Sequence, residues 1–174
     1  MLACTDVDYR PDGTARAAAV LFEDWINQTP TYELVIRLDD VQPYVPGEFY
    51  RRELPCLVAV LDLAVNLAGP LDAVIVDGYV TLDGAGHAGL GLHLYKYLQE
   101  ALGRTVPVIG VAKTAFRGSA HALALRRGTS HSPLYITAAG IDVQEAAEHI
   151  LAMAGPHRLP TLLKRVDQAC RRAS

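Results

Sequence analysis

The 174 residues, 51% hydrophobic and 20% charged, suffice for one core and exclude a disordered chain. A formal net charge of −3 excludes a broadly basic coat, although basic residues fall in pairs, Arg51-Arg52, Arg126-Arg127, Lys164-Arg165 and Arg171-Arg172, each read alone as a solvated surface pair. Three scattered cysteines without a CxxC pair, a charged N-terminal segment (Asp6, Asp8, Arg10) and no apolar run of about 20 residues argue against disulfides, thiolate zinc, export and membrane spans, so a cytoplasmic monomer is expected.

Strand patterns cover residues 1–9, 15–22 and 32–38, separated by Pro11-Asp12-Gly13 and Asn27-Gln28-Thr29-Pro30, and read as an antiparallel meander. A helix is expected over 54–67, where Leu54, Leu57, Val58, Leu61 and Val65 recur at helical spacing. Pro55 falls in its first turn and Gly69-Pro70 stops it. Residues 73–76 form a short buried strand, 92–102 a helix closed by Gly103, 106–111 another strand and 134–137 a further one. Asp142 with Glu145 resembles a capping box for a helix through Met153, and a last helix starts near Pro160. With no repeat or linker, the expectation is a single α/β domain over 1–174. Its sheet is of ribonuclease H-like type, mixed, with five to six strands: three antiparallel strands, then parallel ones, flanked by helices.

The informative residues are acids in apolar surroundings. Val74-Ile75-Val76 ends on Asp77, Asp6 sits inside the first strand, and Glu53 heads the first helical pattern. Singly, each has an ordinary explanation as a turn, strand-end or helix N-terminal acid. Together they point to a cation, because grouped carboxylates away from water are costly unless a positive charge joins them. Carboxylates suit Mg²⁺, with Mn²⁺ as substitute, and such ions can activate water and stabilise a leaving oxygen at a phosphodiester. Asp167 borders the buried side of the last helix and is a possible fourth ligand. Lys113 ends the strand pattern Val108-Ile109-Gly110-Val111-Ala112 and could meet a phosphate there.

Gly84-Ala85-Gly86-His87-Ala88-Gly89 matches GxGxxG. Residues 79–83 separate it from the preceding strand, and no acid occurs between Glu100 and Asp142 to hold a ribose, so a loop beside the acids is the better reading. The six histidines form no HExxH and no tight pair.

Asp6-Val7, Pro43-Tyr44-Val45-Pro46-Gly47 with Arg52-Glu53-Leu54-Pro55, Val76-Asp77-Gly78, Gly89-Leu90-Gly91, Gly110-Val111-Ala112-Lys113, Pro133-Leu134-Tyr135-Ile136 and Arg158-Leu159-Pro160 follow one another along nearly the whole chain. The set resembles the endonuclease V family. The resemblance implies a Mg²⁺- or Mn²⁺-dependent endonuclease that recognises hypoxanthine (inosine) in DNA or RNA. It would cut the second phosphodiester on the 3′ side, leaving 3′-hydroxyl and 5′-phosphate ends. It also implies that Asp6, Glu53 and Asp77 are catalytic metal ligands, with Asp167 near the metal and Lys113 at the phosphate. Tyr44, flanked by Pro43 and Pro46, would wedge into the space of the extruded base, and Gly47 and Gly78 would border its pocket. The chain departs from the family in starting at the first strand. It also departs in reading Gly78-Tyr79-Val80-Thr81-Leu82-Asp83 where many members carry histidines, and Ala138-Ala139-Gly140 where many carry a Gly-His pair. A junction-resolving nuclease of the same fold, or a module that binds inosine without cutting, are the competing readings.

Overall fold

Small and branched apolar residues fill both faces of β1 (Leu2–Tyr9) and β2 (Ala15–Phe22), which is why these strands lie at the middle of the sheet rather than its surface. They pair antiparallel through the turn at Pro11-Asp12-Gly13, where Asp12 Oδ1 accepts from the Thr14 amide and hydroxyl at 3.0 and 2.7 Å. β3 (Tyr32–Leu38) completes the meander. The computed structural model describes residues 1–115 and 118–172.

After α1 (Phe49–Ala68), β4 (Ala73–Asp77) returns beside β1 in parallel. After α2 (Leu90–Leu102), β5 (Val108–Ala112) joins β4 in parallel. β6 (Leu123–Leu125) and β7 (Leu134–Ala139) close the far edge, and α3 (Val143–Ala152) and α4 (Thr161–Arg171) end the chain. The sheet order is β3-β2-β1-β4-β5-β7-β6. Alternate strand residues face opposite layers. Ala17, Leu21, Val74, Val76 and Val108 pack under α1 and α2, while Ala18, Val20, Ile75, Ile109 and Ile136 pack under α3 and α4. Among the described residues no helix is long and apolar enough to cross a membrane.

The ribonuclease H-like α/β arrangement is as expected, with two corrections. The described sheet has seven strands rather than five or six, because three-residue β6 is too short to show a period. The strands beyond β5 are not parallel: β7 runs antiparallel to β5, and β6 antiparallel to β7. Helix α1 also starts at Phe49, five residues before the expected 54, so Glu53 lies one turn inside it and Pro55 is an interior residue. Pro55 has no N–H for the Arg51 carbonyl, and it sits on the exposed face where water can replace that bond. The Cys56 thiol lies 3.5 Å from the Arg52 carbonyl. Asp142 caps α3 as expected, accepting from the amides of Gln144 and Glu145, whereas Glu145 pairs with His149 at 3.8 Å.

Candidate active site

The parallel pairing of β1 with β4 ends on Thr5 opposite Val76, so the next residues, Asp6 within β1 and Asp77 at the end of β4, come side by side at the C-terminal edge of β4. This is the edge at which parallel sheets present their sites. Asp6 is 9% exposed. Its Oδ1 accepts from the Val7 amide at 2.9 Å, and its Oδ2 lies 3.6 Å from the Cys170 thiol of α4. α1 brings Glu53, 5% exposed, to the same acids. Lys113 follows β5, and its Nζ donates to Asp77 Oδ2 at 2.5 Å. Asp167 shares with Asp6, Asp77 and Lys113 a narrow crevice floored by Val111, Leu163 and Val166, and its Oδ1 is held by Arg171 at 3.0 Å.

The electrostatics are those of crowded carboxylates. Burial, then the charge of Asp77, raises Asp6 to about 6, against the pull of the Val7 amide and Lys113. Burial, then Asp6 and Asp77, raises Glu53 to about 8, with Arg52 opposing. Burial works to lower Lys113, but its bond to Asp77 and the charges of Asp77, Asp167 and Asp6 outweigh burial and hold it above the usual lysine value. Among the described residues, no three His, Cys, Asp or Glu side chains converge as a metal cage, and Lys113 is the counter-charge of Asp77. Carboxylate oxygens are the donors a hard divalent cation takes, and burial first, then mutual repulsion, makes Asp6 and Glu53 hold their protons above the usual carboxylate range.

A second cleft, of about 600 Å³, opens beside this crevice, and Asp77 lines both. Tyr44, Gly47, Tyr50, Gly78 and Leu82 are among its walls. Tyr44 stands 58% exposed at the rim, between the exposed Pro43 and Pro46. Gly47 and Gly78 take φ of 81° and 129°, and the space a Cβ would enter is open at both. The Gly78 amide is already committed to the Val111 carbonyl at 3.1 Å, so what Gly78 presents to the cleft is bare backbone.

Several residues shape the site through contacts that the sequence pattern does not show. A Cβ on Gly110 would lie 2.6 Å from the Gly78 carbonyl and 2.9 Å from the Val80 amide, so glycine there lets segment 78–80 cross over β5. The Thr137 hydroxyl fixes the crossing by accepting from the Val80 amide at 2.8 Å. Tyr50 stacks on His93 of α2 with centroids 3.7 Å apart. Arg52 lies 3.7 Å over the Tyr9 ring. Arg158 binds the carbonyls of Lys113 and Pro133, which anchors the backbone that carries the lysine. The expected loop at GxGxxG is present. Gly86 turns it with φ of 84°, and Gly89 packs where a Cβ would meet the Tyr79 carbonyl at 2.5 Å, so these two glycines serve the turn and the packing of the loop. In the Asp83 to His87 turn, His87 Nδ1 lies 2.6 Å from Asp83 Oδ2. Ala138 and Ala139 pair with Ile109 and Val108, at the end of β5 remote from Lys113, so that departure lies away from the acids.

The family model described as Endonuclease V matches residues 1–130. The chain belongs to the endonuclease V family. The matched part includes Asp6, Tyr44, Glu53, Asp77 and Lys113, and it ends before Asp167. The chain is 33% identical over 154 residues to Endonuclease V of Streptomyces avermitilis, covering 75% of this chain and 62% of that protein. It is 37% identical over 145 residues to that of Xanthomonas campestris pv. campestris, covering 81% and 55%. The chain thus spans less than two thirds of the length of these two curated relatives. Among solved structures, the catalytic domain of human Endonuclease V superposes with a TM-score of 0.78 at 20% identity, covering 98% of this chain and 80% of that one. Ciona intestinalis Endonuclease V, in complex with a 23mer DNA containing an inosine followed by a ribo-adenosine, gives 0.77 at 16% identity, covering 98% and 83%. These likenesses establish the shared fold.

Proposed function

We propose that this endonuclease V family member is a Mg²⁺- or Mn²⁺-dependent endonuclease that recognises hypoxanthine in DNA or RNA and hydrolyses the second phosphodiester on its 3′ side. One observation carries the reading most: Asp77 borders both the crevice of acids and the open cleft, so a base in the cleft leaves its strand next to the carboxylates. The complex of the Ciona relative with inosine-containing DNA supports the choice of base.

In this reading Asp6, Glu53 and Asp77, with Asp167, are the residues that would hold the cation. A bound divalent cation supplies an acidified water and charge stabilisation at the phosphate. Glu53 and Asp6, raised to about 8 and 6, would have to lose their protons to serve as ligands. Lys113 exchanges its bond with Asp77 for the phosphate, where its ammonium offsets developing negative charge. Tyr44 replaces part of the stacking lost when the base leaves, and the open backbone at Gly47 and Gly78 admits the base edge.

The test is cleavage of matched DNA and RNA oligonucleotides, with and without one inosine, in each metal. Cutting confined to inosine strands supports the reading. Equal cutting of all strands favours a resolvase-like nuclease, and tight inosine binding without cutting favours a binding module.

A further inference from the structure

Leu159 lines the acid crevice and also a second groove, of about 380 Å³, on the outer side of α4. The polar lining of that groove comes from His157, Thr161, Lys164, Arg165, Gln168 and Arg172, with no acid among them. Two of the basic pairs in the sequence thus contribute to one face. Leu162, Leu163, Val166, Ala169 and Cys170 are buried on the other side of α4, so Lys164, Gln168 and Arg172, four residues apart, point outward together. Glu33 of β3 is shared between Arg165 at 2.5 Å and Arg172 at 3.1 Å, so three cations face one carboxylate and the groove stays positive. Lys164 is exposed and pairs with no acid among the described residues.

This placement runs against the rest of the molecule. The chain carries a net charge of −3, and a phosphate approaching Asp6, Glu53, Asp77 and Asp167 meets repulsion that Lys113, with Arg52 at Glu53 and Arg171 at Asp167, offsets only in part. A polyanion needs cations next to such a site, and the groove supplies them where Leu159 joins the two. We propose that the outer groove of α4 binds the phosphate backbone of the nucleic-acid strand on one side of the scissile bond, with Leu159 at the passage between them. This rests on the proposed nuclease function and adds the surface that carries the strand.

The test compares Lys164→Glu with Lys96→Glu, the same charge change on exposed α2, across the sheet from α4. Affinities for plain and inosine-containing strands are measured by fluorescence anisotropy in EDTA over a range of salt, with circular dichroism to check each fold. Lys164→Glu should weaken binding of both strands about five- to tenfold and lower the magnitude of the salt slope by about one or more, whereas Lys96→Glu should change affinity less than about twofold. Shortening the strand on one side of the inosine should abolish the difference between wild type and Lys164→Glu, and shortening it on the other should preserve it. Equal responses of the two variants, or a difference that survives both shortenings, would overturn the groove. Wild-type indifference to inosine together with a Lys164→Glu defect would instead retain the groove and reject the inosine reading.

Discussion

Removing the Glu53 charge should stabilise the cation-free protein, and increasingly so as pH rises from about 4.5 to about 8. Its carboxyl titrates at about 8 in the fold against 4.5 when free. The folded chain therefore binds this proton more tightly than the unfolded chain, and unfolding releases it between those values. Stability must fall as pH rises through that window: the penalty is absent below 4.5 and complete above about 8, where it approaches about 5 kcal/mol. Asp6, raised from 3.8 to about 6, adds the same sign at lower pH. Glu53→Gln keeps the shape and removes the charge, so in EDTA it should exceed wild type by about 2–5 kcal/mol near pH 8 and match it near pH 5. Urea unfolding followed by far-UV circular dichroism reads this directly, with unchanged m values as the check on two-state behaviour. A wild-type curve that is flat or rising over this range, or one that Glu53→Gln leaves unaltered, would refute the crowded-carboxylate argument. Saturating Mg²⁺ should stabilise wild type more at the alkaline end, since its ligands must first lose their protons.

Replacing Tyr44 by Ala removes a stacking face worth about 1–3 kcal/mol, so binding to an inosine duplex should weaken about 5- to 150-fold, and less on single strands; equal duplex affinities in a filter-binding assay would reject the wedge. Lys113→Ala should lower the magnitude of the salt slope of binding by about one and slow the saturated reaction. It should also destabilise the cation-free protein, because Asp77 and Asp6 lose the ammonium that offsets them. Gly110→Ala drives a Cβ into the Gly78 carbonyl, the Val80 amide and Thr137 Oγ1, and should cost about 1–3 kcal/mol in denaturant unfolding together with inosine discrimination, while unchanged values for both would show that segment 78–80 has room to move.

How far the sequence speaks depends on whether a feature is local. β2 and β3 match their expected bounds because turn-forming residues separate the strands of the meander. The start of α1 is hidden because Glu48 makes no side-chain cap and the first helical residue, Phe49, is 45% exposed rather than in register with the buried stripe. Asp6 and Asp77 are visible because each breaks an apolar run, and their adjacency follows once β1 and β4 are paired. Gly110 and Arg158 stand in the motifs that carry the resemblance, but their roles, like that of Thr137, are not visible, since each acts on backbone far away in sequence: Gly78, Val80 and the Lys113 carbonyl. The charge of the α4 groove is likewise tertiary. Lys164-Arg165 and Arg171-Arg172 read as surface pairs until Leu159 is seen to join their groove to the acids.

The proposed function requires Asp6, Glu53 and Asp77 to act together with a divalent cation at a phosphodiester beside hypoxanthine. Single-turnover cleavage of an inosine-containing strand, by wild type and Asp77→Asn, with Mg²⁺ and with EDTA, tests it most directly when the product ends are mapped. Wild type in Mg²⁺ should cut at the second phosphodiester 3′ to inosine, leaving 3′-hydroxyl and 5′-phosphate ends. Asp77→Asn and EDTA should each reduce the rate by several orders of magnitude while circular dichroism shows the fold intact. Cleavage that persists in EDTA or in Asp77→Asn, or a wild-type protein that leaves the inosine strand whole in Mg²⁺ and Mn²⁺, would contradict it.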